Sequence, residues 1–158
     1  MTPRPADTAR KESLSKSRLR LWLRLLKTSG LIEEELRRRM RADLGTTLPR
    51  FDVMSALSRA PDGLKMSEIS RRLRVSNGNI TGIVDKLTED GLVLRVAVPG
   101  DRRANLVRLT AKGKDVFAEQ ARRHETWIND ILAGLNADDV AGMALRLDHL
   151  LDAIEKAD

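Results

Sequence analysis

Asp101, Arg102 and Arg103 set two adjacent guanidinium groups just after a Pro-Gly step, and Ser76, Asn77, Gly78, Asn79, Thr81, Gly82 and Lys86 crowd one short stretch upstream. Neither group holds a nucleophile beside a base, a phosphate loop or a metal-ligand cluster, so the sequence predicts no catalytic residue, no cofactor and no metal site. The chemistry on offer is recognition. An amide pairs with N6 and N7 of adenine together, and a threonine methyl meets a thymine methyl. Adjacent arginines suit a narrow groove of strong negative potential. Arg71, Arg72 and Arg74 are placed either to contact phosphates or simply to sit in solvent.

Such side chains need a rigid mount. Ile80, Ile83, Val84 and Leu87 share one face at helical spacing, which predicts a helix from Asn77 to Asp90 with Ser76 as its cap. Gly78 and Gly82 then fall nearly opposite the apolar face, flanked by Thr81 and Asp85 on one side and by Asn79 and Lys86 on the other. Two outward glycines cost about 1 kcal/mol each in helix propensity. Close approach of the backbone to a groove is one reason for them, and a tolerated surface weakness is the other. Asp85 is expected to brace a nearby arginine rather than face a phosphate. A short helix with inner residues Ile69 and Leu73, and a tight turn at Arg74-Val75, complete a helix-turn-helix. Behind it, Val93 to Val98 and Asn105 to Leu109 flank the turn Pro99-Gly100-Asp101-Arg102-Arg103-Ala104 and predict a β-hairpin wing.

The bulk composition agrees with this reading. The 158 residues carry 29 Lys plus Arg against 23 Asp plus Glu, a formal net charge of +6, which favours a polyanionic partner. Aromatic residues are only 3% of the chain, with no Tyr, so base-stacking platforms for single strands are poorly supported and duplex DNA is the expected partner. Cysteine is absent, which excludes disulfides, thiolate metal sites and thiol-oxidation sensing. The N-terminal residues read as neither signal peptide nor anchor, and charges interrupt every apolar run, so no membrane association and a cytoplasmic location are expected.

Residues 1–14 read as a disordered basic tail. Residues 15–47 read as a long helix with apolar positions Leu19, Trp22, Leu25, Leu26, Ile32, Leu36 and Met40, weakened or bent at Gly30, with Gly45 to Pro49 as its stop. Residues 48–110 form the winged helix-turn-helix. Residues 111–158 read as two further helices, the first with Thr110 as cap and a stripe at Val116, Phe117, Ala121, His124, Ile128 and Ile131. The second has Asn136 as cap and an apolar face of Val140, Met143, Leu147, Leu150, Leu151 and Ile154. The outer helices carry more apolar surface than the small winged unit can cover, and a second copy around a two-fold axis is the simplest partner. The expected fold class is mainly α with a small β-hairpin wing: a winged helix-turn-helix flanked by dimerisation helices. A two-fold dimer places two recognition helices about 34 Å apart, one turn of duplex.

The run Leu73-x-Val75-Ser76, Ile80-Thr81-x-x-Val84-Asp85-x-Leu87, Gly91-Leu92-Val93, Asp101-Arg102-Arg103 and Leu106-Val107-x-Leu109-Thr110-x-x-Gly113 resembles the MarR family of bacterial transcriptional regulators. The resemblance implies a homodimer on a palindromic operator, usually a repressor released by a small molecule, with Asp101 steadying the DNA-contacting Arg103. Arg74 departs from the glycine often found at that turn. The segment Val75 to Gly82, with His124-Glu125-x-Trp127, is similar to a subgroup linked to aromatic-acid catabolism, some members of which respond to hydroxycinnamoyl-coenzyme A thioesters. The implied effector is an aromatic acid or an aromatic acyl-CoA, with Trp22, His124 and Trp127 as candidate contacts and the arginines of the first helix as candidate phosphate partners. Plain packing explains both tryptophans as well. The alternative function is a winged-helix protein-interaction module without DNA binding, which would show little salt dependence.

Overall fold

Polar caps set the starts of five of the six helices in the computed structural model, which describes residues 12–157 apart from the side chains of residues 102–104. Ser13, Thr47, Ser76 and Thr110 each accept a backbone N–H from three residues on, opening α1 (Leu14–Leu44), α2 (Leu48–Ser58), α4 (Asn77–Glu89) and α5 (Ala111–Ile131). Asn136 and Asp139 exchange side-chain bonds with each other's backbone N–H to open α6 (Ala137–Glu155). The remaining helix, α3, spans Met66–Leu73.

The chain divides into an N-terminal unit that ends at Gly45 and a C-terminal unit that begins at Thr46. In the first, α1 runs unbroken through Gly30 and ends at Gly45 in the left-handed region, φ +59°. The expected weakness at Gly30 does not interrupt the helix, because one glycine removes little from 31 residues of hydrogen bonding. The tail read at residues 1–14 lies outside the described residues up to residue 11, and its last residue, Leu14, already belongs to α1. Pro49 was expected in the stop but lies in the first turn of α2, where a missing N–H loses nothing.

In the second unit the sheet has three strands rather than two. β1 (Leu64–Lys65) pairs antiparallel with β3 (Asp101–Leu109), which pairs antiparallel with β2 (Val93–Val98), giving the order β1-β3-β2. Two residues are too few to show alternation in sequence, so β1 was not legible there. The hairpin turn is also tighter than expected. Gly100, at φ +84°, reverses the chain directly after Pro99, and Asp101 to Ala104 belong to β3 rather than to the turn. The register steps from Ala97 opposite Asn105 to Val98 opposite Asp101, and the intervening residues 102–104 form the irregularity.

The core of this unit joins α2, α3, α4 and the sheet through Val53, Met54, Leu57, Leu64, Ile69, Ile80, Val84, Leu87, Val93, Val107 and Leu109. The first turn of α5 docks on Leu92: Thr110 N donates to Leu92 O at 3.0 Å, and Thr110 Oγ1 donates to Gly91 O at 2.7 Å. Farther along, the buried residues of α5 are Gly113, Gln120 and Trp127, whereas the expected stripe, including Phe117, His124 and Ile128, is half-buried beside them. A reading based on apolar side chains cannot find a buried line that contains glycine and glutamine. α6 buries nothing within the chain: its apolar face is exposed by between 42% at Leu147 and 56% at Ile154.

Candidate nucleic-acid interface

The turn between α3 and α4 is shaped by Arg74, the one described residue other than glycine with positive φ, at +53°. A left-handed conformation costs a side-chain-bearing residue about 1 kcal/mol or more, which is why glycine is favoured at such a turn. Ser70 holds the turn closed: its carbonyl accepts Val75 N at 3.1 Å while its hydroxyl donates to the Val75 carbonyl. Sequence reasoning missed Ser70, since its role depends on a contact five residues ahead that no periodicity reveals.

The turn delivers Ser76 as the cap of α4, its Oγ accepting Asn79 N at 3.3 Å. Ile80, Val84 and Leu87 are buried and Ile83 is half-buried, so the helix inserts its apolar face as expected. Ser76, Asn77, Gly78, Asn79, Thr81, Gly82 and Lys86 are all exposed. A Cβ built on Gly78 or Gly82 meets nothing within 4 Å, so no packing inside the chain requires glycine at either place. Thr81 Oγ1 donates to Asn77 O at 2.9 Å, which engages the hydroxyl within the helix. Lys86 lies 3.7 Å from Glu89.

Asp85 has the arginine partner expected for it. Arg95 Nη2 of β2 meets Asp85 Oδ1 at 2.5 Å and ties the middle of α4 to the base of the wing. Asp101 is exposed where β3 begins, opposite Val98, and the side chains of Arg102 and Arg103 lie outside the described residues. Arg71 and Arg72 are exposed in the last turn of α3.

The candidate effector residues fall in two units. Trp22 is 54% exposed on α1 of the N-terminal unit. Trp127 of α5 is buried, with the Arg123 guanidinium 5.7 Å from its ring centroid. His124 stacks on Phe51 of α2 at 4.7 Å, and Phe51 stacks in turn on Phe117 at 5.5 Å. One turn before His124, Gln120 is buried with its Oε1 unpartnered among the described residues, a polar group that the sequence reading did not single out. In α1, Arg20, Arg37, Arg38 and Arg39 are paired with glutamates, and Arg38 and Arg39 together hold the Glu35 carboxyl down to about 2. Arg18, Arg24 and Arg41 carry no ion pair among the described residues.

Burial pushes the His124 imidazole below its ordinary pKa. The unfolded chain therefore takes up this proton first as pH falls through about 6.5, so folding stability declines on acidification and levels off below the folded value. Urea unfolding between pH 7.5 and pH 5 reads this slope, and His124→Phe, which keeps the ring stack, is expected to flatten it. An unchanged slope in that variant assigns the effect to other groups.

Among the described residues no group of three or more His, Asp and Glu could hold a metal, and no helix is long and apolar enough to cross a membrane. A sequence model of the MarR family matches residues 44–104, the turn after α1 through the wing. The chain is similar to the crystal structure of a MarR family transcriptional regulator from Silicibacter pomeroyi, with 30% identity and a TM-score of 0.75, covering 91% of this chain and 99% of that one. The chain belongs to the MarR family. MarR-family membership makes it a DNA-binding transcriptional regulator rather than an enzyme, and it displaces the reading as an interaction module without DNA binding. It is also similar to a cysteine-to-serine variant of MarR from E. coli complexed with operator DNA, at 25% identity and a TM-score of 0.72 over 89% of this chain and 99% of that one. The transcriptional activatory protein BadR of Rhodopseudomonas palustris is 29% identical over 142 residues, 88% of this chain and 81% of that protein.

Proposed function

We propose that two copies of this chain pair through their outer helices and read a palindromic duplex with α4 and the wing, and that a small organic molecule releases them. The observation that carries the DNA-reading surface is the outward strip of α4, where two glycines have no packing reason to be glycine and every neighbouring polar side chain is exposed. A bare strip lets the backbone approach the groove while Asn77 and Asn79 pair with adenine edges. The Thr81 hydroxyl is engaged by Asn77 O, which leaves its methyl to meet thymine. Ser76 and Lys86 border this strip, and Asp101 with Arg102 and Arg103 brings the wing to the minor groove.

Duplexes selected by the protein from a random pool are expected to show two half-sites about 10 base pairs apart. Asn79→Ala is expected to relax preference at one position per half-site by about 1 to 3 kcal/mol. Selected sequences without two-fold symmetry would remove the dimeric reading, and an unchanged preference in the variant would remove Asn79.

We place the effector, an aromatic acid or aromatic acyl-CoA, against α5, where the unpartnered Gln120 Oε1 and the His124 ring lie one turn apart and Trp127 supplies an aromatic surface. Calorimetric titration with benzoate-type acids and their coenzyme A thioesters tests this, and no heat from either class rejects it. Repression is the first reading of the output. The similarity to BadR, a transcriptional activatory protein, supports the opposite sign. A promoter fused to the selected site separates the two: deletion of the regulator raises expression under repression and lowers it under activation.

A further inference from the structure

The C-terminal end of α4 is held by residues that lie outside its DNA-reading strip. Arg50, in the first turn of α2, donates from Nη2 to Asp90 Oδ2 at 3.2 Å, across 40 residues of sequence. Lys112, in the first turn of α5, donates from Nζ to the Asp90 carbonyl at 3.0 Å. Asp90 is the residue that ends α4, so two other helices converge on the end of the rod opposite to Asn77.

The Arg50 and Asp90 side chains are 22% and 50% exposed, and an ion pair this open to water adds little to stability. Its geometric effect is larger. Ile80, Val84 and Leu87 anchor α4 along one side and the Arg95–Asp85 pair ties its middle to β2, while the bonds at Asp90 hold its C-terminal end. α4 has 13 residues and is therefore about 20 Å long, so a shift at Asp90 is levered to the opposite sign at Asn77. Hydrogen bonds to base edges tolerate misplacement of only about 0.5 Å, whereas phosphate contacts made by flexible lysines and arginines tolerate more.

We propose that Arg50 and Lys112, meeting at Asp90, are positioning residues for operator recognition: from outside the DNA interface they fix the tilt of α4 that brings Asn79 and Thr81 into register with the bases. This rests on α4 being the helix that enters the groove. It makes a prediction opposite to simple electrostatics. Asp90→Asn removes a negative charge from a protein that binds a polyanion, so charge alone tightens binding, whereas loss of the tether weakens specific binding.

The test measures fluorescence anisotropy on the duplex that the native protein selects from a random pool and on a scrambled duplex of equal length, at several salt concentrations. Asp90→Asn and Arg50→Met are each expected to lower the ratio of selected to scrambled affinity about tenfold, with the logarithmic salt slope unchanged. The reversed pair, Arg50→Asp with Asp90→Arg, is expected to restore most of that ratio. Retained binding to the scrambled duplex reports in the same titration that a variant is folded, and the isosteric Asp90→Asn decides the matter if the reversed pair does not fold. A ratio for Asp90→Asn equal to or above the native value overturns the proposal. So does a salt slope lower by about one unit in Arg50→Met, which would make Arg50 a phosphate contact. Failure of a folded reversed pair to recover overturns it as well. An Asn79→Ala control separates the two levels: if it leaves base preference unchanged, α4 is not the reading helix and the proposal falls with it. If it changes preference while Asp90→Asn does not alter the ratio, only the positioning role is lost.

Discussion

Gly113→Ala is expected to destabilise the C-terminal unit by about 3 kcal/mol or more, the upper end of what overpacking does, and to abolish operator binding at growth temperature. A Cβ at this position would lie 1.9 Å from Leu92 O, 2.9 Å from its carbonyl carbon and 3.3 Å from its Cα. All three are backbone atoms, so no side chain can rotate away. Nor can Leu92 retreat easily, since its N–H donates to Leu87 O at 2.9 Å and its carbonyl accepts Thr110 N at 3.0 Å. The first turn of α5 would have to lift away and expose the polar groups bonded there. Urea denaturation followed by circular dichroism measures the loss, and a change of less than about 0.5 kcal/mol would show that α5 does not dock as described.

The second large effect is expected at Leu147 of α6. This residue is 42% exposed, and α6 buries no side chain within the chain. In a monomer, Leu147→Glu would therefore be a surface change worth about 0.5 kcal/mol or less. In a dimer sealed by this face it places a charge, and its two-fold mate, in an apolar interface. The variant is then expected to run as a monomer in sedimentation and to lose operator affinity by about a hundredfold or more, because each half-site must be held alone. Unchanged mass together with unchanged affinity would move the dimer contact elsewhere.

Much of the C-terminal unit was legible because its signals are local. Ser76, Thr110 and Asn136 announce helix starts through hydroxyl and amide chemistry, and Ile80, Val84 and Leu87 announce a buried face through spacing. The features that escaped depend on contacts between distant segments. β1 is two residues long and exists only because Leu64 and Lys65 find Val107 and Leu106. Residues 101–104 read as part of the turn because Asp101, Arg102 and Arg103 are polar and follow a Pro-Gly step, yet the ladder takes them into β3. Gln120 and Gly113 are buried by what packs around them rather than by their own hydropathy. Asp85 shows the middle case: its need for a cation followed from charge, whereas the identity of the cation, Arg95, required the fold.

The composition of α4 has a consequence for how this regulator fails. Asn-Gly-Asn-Ile-Thr-Gly-Ile-Val is a poor helix-forming run, rich in glycine, asparagine and β-branched residues. Excised as a peptide it would be a coil; in the protein its shape is borrowed from Ile80, Val84 and Leu87 in the hydrophobic interior. The surface proposed to read DNA thus has no conformational integrity of its own. Lesions at remote apolar positions will present as regulatory defects before they present as loss of the protein.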